Sequence, residues 1–183
     1  TLTPGLDYCA EDSSDSALAA ELPEVLSQVT EWGMNTVLIN TDYEGQCFYN
    51  TDLDSGTSVL GTTVEYFRSA GLSVFVVLDV NAMVQRLAES GADLKHGFSA
   101  QVHKFVMKYA CDGILLTNYY TEDSAQMFAQ YMESGSGIGY ENWLYETNEY
   151  IVRSISEIIR RTNNSVAVGL MINDMWANST ANE

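Results

Sequence analysis

Four short apolar runs punctuate the chain, and each ends on a polar or acidic cluster. Residues 36–39 run into Asn40-Thr41-Asp42, and residues 74–78 into Asp79-Val80-Asn81. Residues 114–116 run into Thr117-Asn118-Tyr119-Tyr120, and residues 166–172 into Asn173-Asp174. Runs without polar alternation are strands covered on both faces, as in a parallel sheet with helices between the strands. In that architecture sites are built at the C-terminal strand ends.

Helical periodicity fills the intervals. Leu18, Leu22, Val25, Leu26 and Val29 share one helical face before Gly33, with Pro23 expected in the first turn of that helix. Val64 and Phe67 precede Gly71 in the same way. Ser99 is expected to cap a helix carrying Val102, Phe105, Val106 and Tyr109. Leu144, Asn148, Ile151, Val152, Ile155, Ile158 and Ile159 line the clearest stripe, closed by Arg160 and Arg161. Residues 83–88 add a short helix, and residues 2–6 an N-terminal strand. Residues 43–61 and 121–142 read as long loops on the strand-end side, where functional loops gather. Alternating helix and strand defines an α/β fold with a parallel sheet, here a single domain over residues 1–183.

Composition narrows the function. The chain is 46% hydrophobic, so it can bury a core, and no run reaches the roughly 18–20 apolar residues of a membrane span. Eight Lys and Arg stand against 25 Asp and Glu, a formal net charge of −17. Such a polyanion has no electrostatic reason to bind nucleic acid or an anionic membrane. Cys9, Cys47 and Cys111 form no C-x-x-C pair, and a Cys9–Cys47 disulfide stays open. With His96 and His103 as the only histidines, neither a Ser–His–Asp triad nor a histidine-rich metal site is expected. Carboxylates at one mouth could hold Ca²⁺ or Mg²⁺, but no EF-hand-type spacing is present, and no metal or cofactor is assigned.

Several segments, in order, resemble glycoside hydrolase-like family 10. They are Asn35-Thr36-Val37 followed by Cys47-Phe48-Tyr49-Asn50-Thr51-Asp52, then Cys111-Asp112-Gly113-Ile114-Leu115-Leu116 with Thr117-Asn118-Tyr119-Tyr120. Trp143 with the helix after it, Val168-Gly169-Leu170 and Trp176-Ala177-Asn178 complete the likeness. The resemblance implies a (β/α)8 TIM barrel acting on glycans, peptidoglycan strands included, in a bacterial extracellular or envelope setting. A whole barrel takes about 200–250 residues, so this chain would carry about five βα units. The rest would come from further sequence or a homo-oligomer. An open flavodoxin-like sheet is the alternative arrangement.

The chain departs from the family where chemistry is concentrated. The family's paired Asp falls on Thr117 and Asn118, and its paired Arg on Leu144 and Tyr145. Glycoside hydrolysis ordinarily uses two carboxylates roughly 5–9.5 Å apart. Asp79 and Asp174, at two other strand ends, are the replacement pair, although Asp at such positions also caps helices. Asp42, Tyr43, Asn118, Tyr119, Tyr120, Trp143 and Trp176 are the substrate-binding candidates. Flat aromatic rings suit the C–H faces of sugars. Two readings follow: a hydrolase with relocated carboxylates, or a non-catalytic module that binds glycan.

Overall fold

The four apolar runs pair as parallel strands in the computed structural model, which describes residues 1–9, 14–50, 56, 58–91, 94–119 and 125–171. In chain order the elements are α1 (Asp15–Glu31), β1 (Thr36–Asn40), β2 (Asp42–Tyr43), β3 (Gln46–Cys47), α2 (Val59–Ser69) and β4 (Ser73–Asp79). They continue as α3 (Val80–Glu89), α4 (Leu94–Lys108), β5 (Gly113–Thr117), α5 (Ala125–Ser134), α6 (Tyr140–Thr162) and β6 (Ala167–Leu170). The main sheet runs β1-β4-β5-β6, with Val37 beside Val74, Val76 beside Ile114, and Ile114 beside Val168.

The strand order decides between the two arrangements left open above. Leu2 pairs in parallel with Ile39 on the other side of β1, through Leu2 N–H to Leu38 O at 2.6 Å and Asn40 N–H to Leu2 O at 3.0 Å. A flavodoxin-like winding would place that first segment between β1 and β4. Here β1 itself lies between them, so the segments follow one another as in a barrel wall. Right-handed crossovers of constant sense put every connecting helix on one face. That face is the core: Val37, Ile39, Val74, Val76, Leu78, Ile114 and Leu116 are buried beneath Phe67, Phe105, Ile151 and Ile155.

The opposite face, which would line a closed barrel, carries Leu38, Phe75 and Leu115, all half-buried. Large and small residues alternate across it: Phe75 pairs with Gly113, and Leu115 with Gly169. A Cβ on Gly113 would come within 2.3 Å of the Phe75 ring, and one on Gly169 within 2.7 Å of Leu115.

Several expectations require correction. Residues 2–6 make two isolated bridges, Leu2 to Ile39 and Pro4 to Tyr8, and not a strand, because the chain turns at Gly5 (φ +83°), where a side chain would strike Phe48. Helix α1 begins at Asp15, capped by Ser14, and Pro23 lies inside it. Pro23 faces solvent, where water can satisfy the carbonyl its missing N–H leaves, while buried Leu18, Leu22 and Val29 hold both halves on the core. Ser99 lies within α4, which starts five residues earlier so that Phe98 joins the core. Residues 121–142 contain α5 and the start of α6, and residues 43–61 contain the β2–β3 hairpin. Its turn residues Glu44 (φ 48°) and Gly45 (φ 79°) both take the left-handed conformation of a type I′ turn.

All three cysteines are in the thiol form. Burial pushes the Cys111 thiol up to about 11, so it behaves as a small core hydrophobe. Among the described residues, no helix is long and apolar enough to cross a membrane.

Candidate functional site

Strands β1, β4 and β5 end on polar residues at the same edge of the sheet, and these meet around a cleft of about 330 Å³. Asn40 comes from the end of β1, Asp42 from the start of β2, Asp79 from the end of β4, Thr117 from the end of β5 and Asn118 from just past it, with Val77 and Met171 as apolar surface. The mouth is therefore lined by carboxylates, amides and a hydroxyl.

Asp79 is held from two sides. One carboxylate oxygen caps α3 by accepting from Ala82 N–H at 2.8 Å. The other accepts from the Asn118 side-chain amide at 2.7 Å. Asn118 reaches this position because its backbone is left-handed (φ 46°), which Asn tolerates better than most residues. Its carbonyl also receives Asn81 N–H at 3.0 Å, tying the end of β5 to the first turn of α3.

Asp42 is held as firmly. Its Oδ1 accepts from Arg86 Nη1 at 2.6 Å, and its Oδ2 from the Thr41 hydroxyl at 2.7 Å. The buried Thr41 oxygen in turn accepts from Asp79 N–H at 3.2 Å, linking the two acids through one side chain. The second Arg86 nitrogen donates to the Tyr49 hydroxyl at 2.8 Å, and the guanidinium lies over that ring. Burial works against the Arg86 charge, but Tyr49 and Asp42 outweigh it and its pKa rises. Burial also lifts the Tyr49 phenol above its ordinary range, so it stays a neutral hydrogen-bonding group. Asn40 completes the mouth by donating to Thr3 Oγ1 at 2.8 Å.

The structure thus brings Asp42, Asp79 and Asn118 together. Tyr43 lies half-buried in the β2–β3 hairpin with its ring toward Gly5, and Tyr119 packs half-buried against the core. Trp143 sits on α6 among other rings and does not line the cleft. Asp174, Tyr120 and Trp176 lie outside the described residues. Arg86 and Asn40 are not among the sequence candidates, although Arg86 holds Asp42 and Asn40 lines the cleft. Arg86 had one signal: it is the lone cation of a helix that follows directly on an acidic strand end. Among the described residues, no group of three His, Cys, Asp or Glu could hold a metal ion.

The contact between Asp79 and Asn118 makes the identity of residue 118 testable. An acid at position 118 would stand 2.7 Å from the Asp79 oxygen, where two carboxylates cannot both ionise freely. Asn118→Asp should therefore make one of the pair hold its proton above the ordinary carboxyl range. A group raised in the folded state supports the fold fully below its unfolded value, about pH 4, and loses that support as pH rises through the raised value. The Tm deficit of the variant against the parent should be small near pH 4 and widen toward pH 8. A constant deficit across that range would refute the arrangement.

Sequential strand order with helices on one face and a polar mouth at the strand ends defines the wall of an α/β barrel. No protein-family model matches the chain, and no curated protein sequence matches it. Among solved structures, the fold is similar to alpha-L-fucosidase isoenzyme 2 from Paenibacillus thiaminolyticus, with a TM-score of 0.57 and 13% identity. That likeness covers 82% of this chain and 29% of the fucosidase. A hypothetical protein from Ruminiclostridium thermocellum is similar at TM-score 0.55 and 10% identity, over 93% of this chain and 95% of its own. A candidate alpha-N-acetylgalactosaminidase from Bacillus halodurans is similar at 0.52 and 8%, over 94% of this chain and 49% of its own. At these identities the fold is what is shared. The chain spans less than half of either named glycosidase, and nearly all of the Ruminiclostridium protein.

Proposed function

We propose that this chain is a glycan-recognising domain on a glycosidase-type barrel wall, which binds sugar hydroxyls in the strand-end cleft without itself cleaving the glycosidic bond. The observation that carries the reading is Asn118 donating to Asp79, where the resembled family places an acid. The carboxylates of Asp42 and Asp79 are both held by donors within the protein. Planar carboxylates and amides at one mouth are well suited to paired hydrogen bonds with vicinal hydroxyls. The fold shared with an alpha-L-fucosidase supports a sugar ligand. The family resemblance extends the reading to peptidoglycan-type strands and to a bacterial envelope or extracellular setting.

The test is calorimetric titration together with mass spectrometry of a glycan panel containing peptidoglycan strands and β-linked glucans. Binding without shortened products is expected, and Asn118→Gly should weaken it roughly tenfold, the worth of one well-placed hydrogen bond. Glycine suits the left-handed backbone there, so the variant removes the amide without adding strain. Shortened products that vanish in Asp79→Asn or Asp174→Asn would replace this reading with the hydrolase using those two acids.

A further inference from the structure

A cluster of aromatic rings lies on the same end of the fold as the cleft. Helix α6 is 23 residues long, about 35 Å, and its last turn leads directly into the start of β6. Its first turn, with Tyr140 and Trp143, therefore lies toward the C-terminal strand ends. There Tyr140 and Trp143 sit 6.2 Å apart between centroids, tilted by only 20°. From α5, Phe128 meets Tyr140 edge-on at 5.2 Å, and Tyr131 meets Trp143 at 5.8 Å.

The cluster is anchored from below, with Tyr140 and Trp143 half-buried against the core and Phe128 as its exposed member. The Tyr131 hydroxyl donates to Ile138 O at 2.9 Å and so fixes the turn between the two helices. Phe128 stays 48% exposed, a position where packing alone would allow a polar residue. Glu141 and Asn142, both exposed, stand beside the rings on the first turn of α6.

We propose that Phe128, Tyr140 and Trp143 form a distal subsite for a neutral oligosaccharide whose other end occupies the strand-end cleft. The proposal rests on the glycan-binding reading and adds to it a length requirement and a charge class. Aromatic faces receive the C–H faces of sugar rings, while Glu141 and Asn142 offer hydrogen-bond partners to the hydroxyls. A shelf locked by its own turn binds without the entropic cost of ordering itself. The net charge of −17 works against anionic groups at this surface, so the subsite takes the uncharged sugar rings of a strand.

The test uses the chain with Trp32→Phe, and a parallel Trp143→Phe variant identifies the part of the emission change that comes from Trp143. Cellohexaose, chitohexaose and their disaccharides are titrated while tryptophan emission and heat are followed. The hexasaccharides should give a saturable change in emission. Phe128→Ala should weaken them roughly tenfold, with disaccharide binding in the cleft unchanged. Phe128→Leu keeps the apolar bulk but lacks the ring, so it should behave like Phe128→Ala if the ring stacks on sugar. If both Phe128 variants bind hexasaccharide like the parent while Asn118→Gly weakens it, the shelf is overturned and the glycan-binding reading stands. If no oligosaccharide binds by either readout, the glycan-binding reading falls and the shelf falls with it.

Discussion

Arg86→Met should lower stability by about 3 kcal/mol, toward the lower end of what breaking a buried ion pair costs because Arg86 keeps some solvent. Its partner Asp42 has only 8% of its side chain exposed, so the carboxylate would be left with little water and one remaining donor, Thr41. The Tyr49 hydroxyl would lose its Arg86 donor at the same time. For a chain of 183 residues this corresponds to a Tm lower by about 8 °C. The loss should reach the cleft, because Asp42 anchors the β2–β3 hairpin and Thr41 connects it to Asp79. A thermal double-mutant cycle with Asp42→Asn is the check. Removing both charges leaves no orphan, so the double variant should be more stable than the sum of the single losses by at least about 1 kcal/mol. Strict additivity would mean that the pair contributes nothing beyond two independent side chains.

The second large effect is expected on the other face of the sheet. Gly113→Ala places a methyl within 2.3 and 2.4 Å of two Phe75 ring atoms, distances no non-bonded carbon pair adopts. The ring must leave its place, at about 2–3 kcal/mol, or roughly 6 °C in Tm. Phe75→Leu should restore much of that loss in the double variant, since the obstruction is the ring and not the backbone. Thermal melts of the two singles and the double decide it. A Gly113→Ala protein as stable as the parent would show that Phe75 swings freely into the space beside the sheet. In that case the large–small pairing across this face would not be a packed layer.

Much of the architecture was legible in the chain because it rests on local, repeated physics. Strands 36–39, 74–78 and 114–116 were placed to within a residue at each end, since unbroken apolar runs have few other uses in a soluble α/β fold. The stripe of α6 was equally plain, with Leu144, Ile151, Ile155 and Ile159 on its buried side. Helix α5 was hidden because Gly135, Gly137 and Gly139 suggested a loop across the whole segment. They form only the turn, and Met127 anchors a helix ahead of it. Pro23 misplaced the start of α1 because a proline is a strong local signal, and here the packing of Leu18 and Leu22 overrides it.

The candidate site was legible in location but not in wiring. Alternation of apolar run and polar end pointed to Asp42, Asp79 and Asn118, and these three do line one cleft. Nothing local says that Arg86, 44 residues beyond Asp42, supplies the ion pair, or that Asn118 donates to Asp79 from 39 residues away. The aromatic candidates divided for the same reason. Tyr43 and Tyr119 share the strand-end segments of the cleft residues, yet the fold turns them toward Gly5 and the core.

By itself the sequence determined the α/β class, the strands, most helices, the acidic character, and the end of the sheet where chemistry would gather. Each follows from interactions between residues a few positions apart or from composition. Only the tertiary structure decided the barrel-like strand order, because Leu2 could have paired on either side of β1 at the same local cost. Only it decided, too, that Asp42 and Asp79 are held by Arg86 and Asn118, since hydrogen-bond partners are chosen by geometry across the sheet and not by neighbours along the chain.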